Sequence, residues 1–296
     1  MPTDPDPQVI AGLTESPGAP KPRPMLVVDD LRRSFGGIVA VDVPHLEVQE
    51  GFVTSIIGPN GAGKTTLFNL LSGFDRPDGG RHYLDGRDIT HWRPHRIAQL
   101  GLVRTFQLTK ALAKLPVIDN VKLAARSQRG ERLLWAPLHR SWRAEERRID
   151  ERAAALLERF GLAHMRDEYA GTLSGGQRKL LEFARALMSQ PRIIMLDEPM
   201  AGVSPALSQT LMQHVRSLTE GGLTVVFVEH DMGLVMGVSD WIICLAQGKV
   251  IAEGRPATVA GNAQVIEAYL GAGYSRSDGD PPARRGGTPQ TTEEAP

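Results

Sequence analysis

Gly58-Pro59-Asn60-Gly61-Ala62-Gly63-Lys64-Thr65, followed by Thr66, fits the spacing G-x-x-x-x-G-K-[ST]. Glycines in such a loop let the backbone curl until successive N–H groups face an anion, and the lysine reaches into the same space. The strand-like run Phe52 to Ile57 leads into the loop, and Leu67, Leu70 and Leu71 follow at helical spacing up to Gly73. A helix begun on this loop would aim its first amides and positive dipole end at phosphate oxygens. Lys64 would then reach the outer phosphates, and Thr65 would place its hydroxyl on Mg²⁺. The bland alternative is a glycine-rich turn with an accidental lysine. A chance match in a chain this long runs at roughly one in a hundred, and the correct flanks make it rarer.

Two further places could do chemistry. Ile193-Ile194-Met195-Leu196-Asp197-Glu198-Pro199 is an apolar run ending in two carboxylates, as expected where a buried strand emerges at the ligand-binding edge of a parallel sheet. Adjacent strand residues face opposite ways, so the two acids should differ in role. Asp197 can hold Mg²⁺ through water, and Glu198 is placed to orient or deprotonate a hydrolytic water. Leu173-Ser174-Gly175-Gly176-Gln177 precedes the stripe Leu180, Leu181, Ala184, Leu187 and Met188, a second glycine-rich helix start, with Ser174 as its cap and its first amides as another anion site.

In this order of motifs the sequence resembles the ATP-binding cassette (ABC) ATPases, over about residues 25 to 270. The resemblance implies an α/β P-loop NTPase with a mixed-sheet core, an antiparallel β subdomain and an inserted α-helical subdomain, using ATP and Mg²⁺. It also assigns roles by position. Ser174, Gly175, Gly176 and Gln177 match the signature that contacts the γ-phosphate held by a second subunit, so two cassettes, alike or paralogous, would close around two nucleotides. Gln107, in Arg104-Thr105-Phe106-Gln107, matches the glutamine that contacts Mg²⁺ and the attacking water. His230 matches the switch histidine at the γ-phosphate, and Phe35 the aromatic stacked on adenine. One departure stands out: Ser204, in Ala201-Gly202-Val203-Ser204-Pro205, replaces an aspartate through which paired sites communicate.

Within that superfamily, Ser34-Phe35-Gly36-Gly37, Asp197-Glu198-Pro199-Met200-Ala201-Gly202, Val228-Glu229-His230-Asp231-Met232 and Glu267-Ala268-Tyr269-Leu270-Gly271 look like the ATPase subunit of bacterial branched-chain (hydrophobic) amino-acid importers. The implied partners are membrane permease subunits, a second ATPase subunit and, indirectly, a solute-binding protein, with the chain held peripherally at the cytoplasmic face. Import of urea or amides and export of lipid or lipopolysaccharide use the same cassette and are the serious competitors. A soluble member acting on nucleic acid or ribosomes fits less well, because one set of motifs, one cysteine and zero net charge offer no zinc module, no fused second cassette and no polyanion field.

The elements that must position these residues follow from the rest of the pattern. With 296 residues, 41% of them hydrophobic, the chain can build a sizeable core. Met25 to Val28, Ile38 to Val43 and His45 to Val48 read as strands, the last alternating as a half-buried one would. Thr224 to Val228 is a β-branched strand. Residues from Leu108 to about Thr172 turn helical, with Ile149, Ala153, Leu156, Leu157 and Phe160 forming one stripe that stops at Gly161. Residues 126–148 hold seven Arg against three Glu, plus Trp135 and Trp142. They read equally as an extension toward membrane or permease and as a solvated helix pair. Residues 1–24, with seven prolines, and 272–296, rich in Gly, Pro, Asp and Arg, are expected to be flexible tails around a domain at 25–271. No run nears the roughly 20 apolar residues of a membrane span, and the opening Met1-Pro2-Thr3-Asp4 is not expected to begin a secretory leader.

Overall fold

In a computed structural model of the chain, residues 12–105, 112–125 and 139–274 are described. β1 (Pro24–Phe35) turns back as β2 (Ile38–Gln49), and β3 (Val53–Ile57) runs into the phosphate loop and α1 (Lys64–Leu71). The hairpin of β4 (Gly79–Leu84) and β5 (Arg87–Asp88) is followed by α2 (Pro94–Leu100) and β6 (Leu102–Arg104). Helices α3 (Val117–Lys122), α4 (His139–Arg159) and α5 (Gly175–Met188) come next. The chain then alternates β7 (Ile193–Asp197), α6 (Pro205–Thr219), β8 (Thr224–Val228) and α7 (Met232–Val238), before the hairpin β9 (Trp241–Ala246) and β10 (Lys249–Gly254) and the helices α8 (Pro256–Ala260) and α9 (Ala263–Tyr274).

Two sheets result, one antiparallel in the order β2-β1-β4-β5 and one mixed in the order β10-β9-β3-β8-β7-β6. In the mixed sheet β9, β3, β8, β7 and β6 run parallel, and β10 closes the edge antiparallel to β9. Its central strands are buried on both faces, and neighbouring residues divide between two cores. Ile57, Ile194, Leu196, Val225, Phe227, Ile242 and Cys244 join the helices on one side. Ile56, Ile193, Met195, Val226, Val228, Ile243 and Leu245 join α1 and the antiparallel sheet on the other. Each such side chain contributes roughly 1.5–3 kcal/mol by leaving water, which is why these strands read as unbroken apolar runs in the sequence. The inserted helices draw on the expected stripe: Ala153, Leu157 and Phe160 are buried with Leu181, Ala184 and Leu187 of α5.

The region expected to be an N-terminal tail differs over residues 12–23. Lys21 is buried and its ammonium pairs with buried Glu253 of β10 at 2.6 Å, 4.4 Å above the Trp241 ring. Its amide donates to Glu47 at 2.5 Å, while the Gly18 amide donates to Glu253 at 3.0 Å and the Arg23 amide to Gln49 at 3.1 Å. Glu15 pairs with Arg255. The same contacts explain why β2 does not alternate at its end as expected: Leu46, Glu47, Val48 and Gln49 are all buried, because the docked segment covers the polar face. Composition gives no sign of this, since each anchoring partner is more than twenty residues away. At the other end, α9 continues to Tyr274 and residues 275–296 lie outside the described residues.

Candidate nucleotide-binding and hydrolysis site

Parallel register brings the chemistry to one edge. Ile56 pairs with Val228, which pairs with Asp197, and Arg104 pairs with Met195. The residues that follow these strands therefore share the carboxyl edge of the sheet: the phosphate loop after β3, Glu198 after β7, and Glu229-His230 after β8. This is where an open parallel sheet binds ligands.

The phosphate loop is shaped by two close approaches. Gly58, at φ +146°, and Gly63, at φ +100°, each have a carbonyl where a side chain would begin: an added Cβ would lie 2.1 Å from Leu245 O and 2.2 Å from Ala40 O respectively. A larger residue at either position would push the loop off the sheet. No side chain caps α1, so its first amides remain for a ligand. Lys64 Nζ donates to the carbonyls of Gly58 at 2.7 Å and Pro59 at 3.0 Å. An ammonium has three donors, so these two bonds do not use all of them. Burial lowers the Lys64 pKa, opposed chiefly by the nearby Glu198 carboxylate. Lysine and glutamate thus feel one another across the site. Thr65 is exposed and Ala62 is buried.

Asp197 is buried, and Arg104 takes its Oδ2 at 2.6 Å while also donating to Asn69 at 2.7 Å and Ser72 at 3.0 Å. Oδ1 lies outside that ion pair. Among the described residues no cluster of His, Cys, Asp or Glu could cage a metal by itself, which suits a cation shared with phosphate oxygens. Glu198 sits at φ +45°, an uncommon left-handed backbone for a glutamate that persists where the surroundings enforce it; its amide donates to Val228 O at 3.0 Å. Glu229 is buried and accepts from the amides of Met200 at 2.9 Å and His230 at 3.3 Å, tying the loop after Glu198 to the loop that carries His230. Burial raises the Glu229 pKa and the two amides oppose that. The His230 side chain is 68% exposed, open to whatever docks there.

The second glycine-rich helix start forms as its sequence suggests. Ser174 Oγ accepts from the Gln177 amide at 3.2 Å and Gln177 Oε1 accepts from the Ser174 amide at 2.9 Å, a reciprocal capping box. Ser174 and Gly175 are exposed. Phe35 is 48% exposed with the Arg33 guanidinium 4.5 Å from its ring centre. Ser204 stands at the N-cap of α6 with no side-chain capping bond. Gln107, expected in the site, lies outside the described residues, as does most of the basic interval with Trp135. The sequence reading assigned no role to Arg104, Glu229 or Tyr269, whose hydroxyl accepts from the Gly58 amide at 2.9 Å. For Arg104 and Glu229 a signal existed, namely a charge inside or against an apolar strand end.

A mixed sheet with a phosphate loop, an acidic neighbouring strand end and an inserted helical subdomain defines the class: a P-loop nucleoside triphosphatase. Residues 41–201 match the family described as ABC transporter, and residues 249–275 match the branched-chain amino acid ATP-binding cassette transporter family. The chain belongs to the ABC transporter family, as one of its ATP-hydrolysing cassettes. The high-affinity branched-chain amino acid transport ATP-binding protein BraF of Pseudomonas aeruginosa is 43% identical over 252 residues, covering 84% of this chain and 98% of that protein. The ADP conformation of MJ1267, an ATP-binding cassette of an ABC transporter, superposes with a TM-score of 0.73 at 38% identity, over 84% of this chain and 99% of that one. A dimeric post-hydrolysis state of the cassette MJ0796 bound to ADP and Pi gives 0.64 at 27% identity, over 78% and 99%.

Proposed function

We propose that the chain is the ATP-driven subunit of an importer for branched-chain or other hydrophobic amino acids, working at the cytoplasmic face of a membrane through a pair of permease subunits. The observation that carries this reading is one chain holding the complete cassette together with a C-terminal segment, residues 249–275, of the branched-chain type. Among the described residues no helix is long and apolar enough to cross a membrane; in this reading the solute path belongs to the permease subunits. A solute-binding protein would deliver cargo to them, and this subunit would not touch it.

In this reading the loop amides of residues 58–66 and Lys64 hold the phosphates, and Phe35 offers the ring face opposite Arg33 to adenine. Asp197, the Thr65 hydroxyl and Gln107 would hold Mg²⁺. When bound, Mg²⁺ supplies charge that neutralises the outer phosphate oxygens. Glu198 takes the proton of the attacking water, and His230 donates to the γ-phosphate oxygens. Ser174, Gly175, Gly176 and Gln177 complete the site of a second copy or a paralogue, so that ATP acts as the adhesive of a head-to-tail dimer. Closure pushes the permease pair into one state and hydrolysis lets it reopen.

Co-purification of the membrane subunits, followed by uptake measurements in a strain lacking this chain, tests the assignment. Loss of leucine, isoleucine and valine uptake is expected. Untouched uptake of all three, with no redundant importer, would reject the substrate class.

A further inference from the structure

The segment of branched-chain type ends in α9, and one side chain of that helix reaches the phosphate loop. Tyr269 Oη accepts the backbone N–H of Gly58 at 2.9 Å. Gly58 follows the last paired residue of β3, Ile57 opposite Cys244, and has little room to move, because the Leu245 carbonyl fills the place of its side chain. Its own carbonyl accepts Lys64 Nζ at 2.7 Å. Both polar groups of this one buried residue are therefore engaged, the amide by α9 and the carbonyl by the lysine. We propose that Tyr269 is a positioning residue of the phosphate loop: its hydroxyl fixes Gly58, so that the Gly58 carbonyl presents the Lys64 ammonium to the outer phosphates.

Two features of the surroundings support this. A cleft of about 740 Å³, lined by Asn60, Gly61, Gln264 and Glu267 among others, separates the tip of the loop from α9, so the contact is made at the root of the loop and the tip stays open. Burial, with the neighbouring Cys244, pushes the Tyr269 phenol up to about 12 despite the Gly58 bond, so the hydroxyl keeps its proton and remains a neutral acceptor throughout the neutral range. Through Tyr269, α9 thereby gains a direct hold on nucleotide affinity.

The proposal rests on Lys64 binding phosphate, and the experiment separates the two claims. ATP is titrated calorimetrically into the full chain, into Tyr269→Phe, Tyr269→Ala and Lys64→Ala, and into the double variant Tyr269→Phe/Lys64→Ala. Removing one hydroxyl should raise Kd about fivefold, with Tyr269→Phe carrying most of the loss seen in Tyr269→Ala. In the Lys64→Ala background the same change should cost less than about twofold, because the effect passes through the lysine. Wild-type affinity in Tyr269→Phe alongside weak binding in Tyr269→Ala would reduce Tyr269 to ring packing and overturn the proposal, as would an undiminished penalty in the double variant. An unchanged Kd in Lys64→Ala would instead remove the phosphate-loop reading beneath it. If a Tyr269 variant fails to fold by far-UV melting, hydrogen exchange of the Gly58 amide in the unmodified chain decides: slow exchange supports the bond, and exchange at the rate of an open loop overturns it.

Discussion

The chain contains two glycine-rich helix starts, and they are finished differently. At α1 the N-cap is Gly63 and no side chain caps the helix; the first amides stay open around a half-buried lysine. At α5 the Ser174–Gln177 capping box closes two amides on itself. An isolated helix end must satisfy its first N–H groups or leave them for a ligand. The phosphate loop is thus built to bind within one chain. The signature start is capped by its own side chains, with Ser174 and Gly175 exposed, which suits the proposed contact with a second subunit.

That contrast can be broken from several sides. The largest effect is expected from Glu198→Gln, which leaves both helix starts intact: ATP binding should persist while turnover falls by about 10³-fold or more, and a closed dimer should accumulate on size-exclusion chromatography with ATP. Turnover near wild type would remove Glu198 from the role of base. Lys64→Ala attacks the open start directly, and a loss of about 10²-fold in ATP affinity of the single chain is expected from a titration; a shift below twofold would mean that the amides alone bind.

Acid supplies the control that takes both starts down together. His82 of β4 is fully buried with neither ring nitrogen hydrogen-bonded among the described contacts, and burial lowers its pKa to about 4 from 6.5. The unfolded chain binds this proton first as pH falls, so the stability is complete above 6.5, is lost between 6.5 and 4, and is reduced by about 2 kcal/mol at pH 5. Chemical denaturation of wild type and His82→Leu at pH 7 and pH 5 measures it, and an equal pH dependence in the two would exclude His82 as the cause. The smallest effect belongs to Ser174→Ala. Loss of the cap should cost about 1 kcal/mol of stability, with single-chain ATP affinity unchanged and turnover of the dimer down about tenfold. A matching loss of affinity in the monomer would erase the distinction between the two starts.

How much was legible in the sequence follows the range of the interactions involved. Loop, acidic strand end and capped signature are set by contiguous residues, so Gly58 to Thr65, Asp197-Glu198 and Ser174 to Gln177 could be placed on their elements from spacing alone. The strands β9 and β10 and the single long β2 were not foreseen, because a short apolar run has the same composition in helix and strand until a neighbour pairs with it. The docked segment at residues 12–23 looked like a tail for the same reason: its stability comes from Glu47 and Glu253, far along the chain.

By itself the sequence determined which groups are available and in what local geometry: a curled loop with a lysine, two adjacent carboxylates at the end of an apolar strand, a self-capped helix start. Only the tertiary structure decided what they are coupled to. Parallel pairing of β3, β8 and β7 aligned the loop, Glu198 and His230 at one edge. Long-range packing gave Asp197 to Arg104, Met200 to Glu229 and the Gly58 amide to Tyr269. Local propensity fixes backbone shape over a few residues, whereas a buried polar group takes whatever partner the fold brings to it, because leaving it unpaired costs more than the bond itself returns.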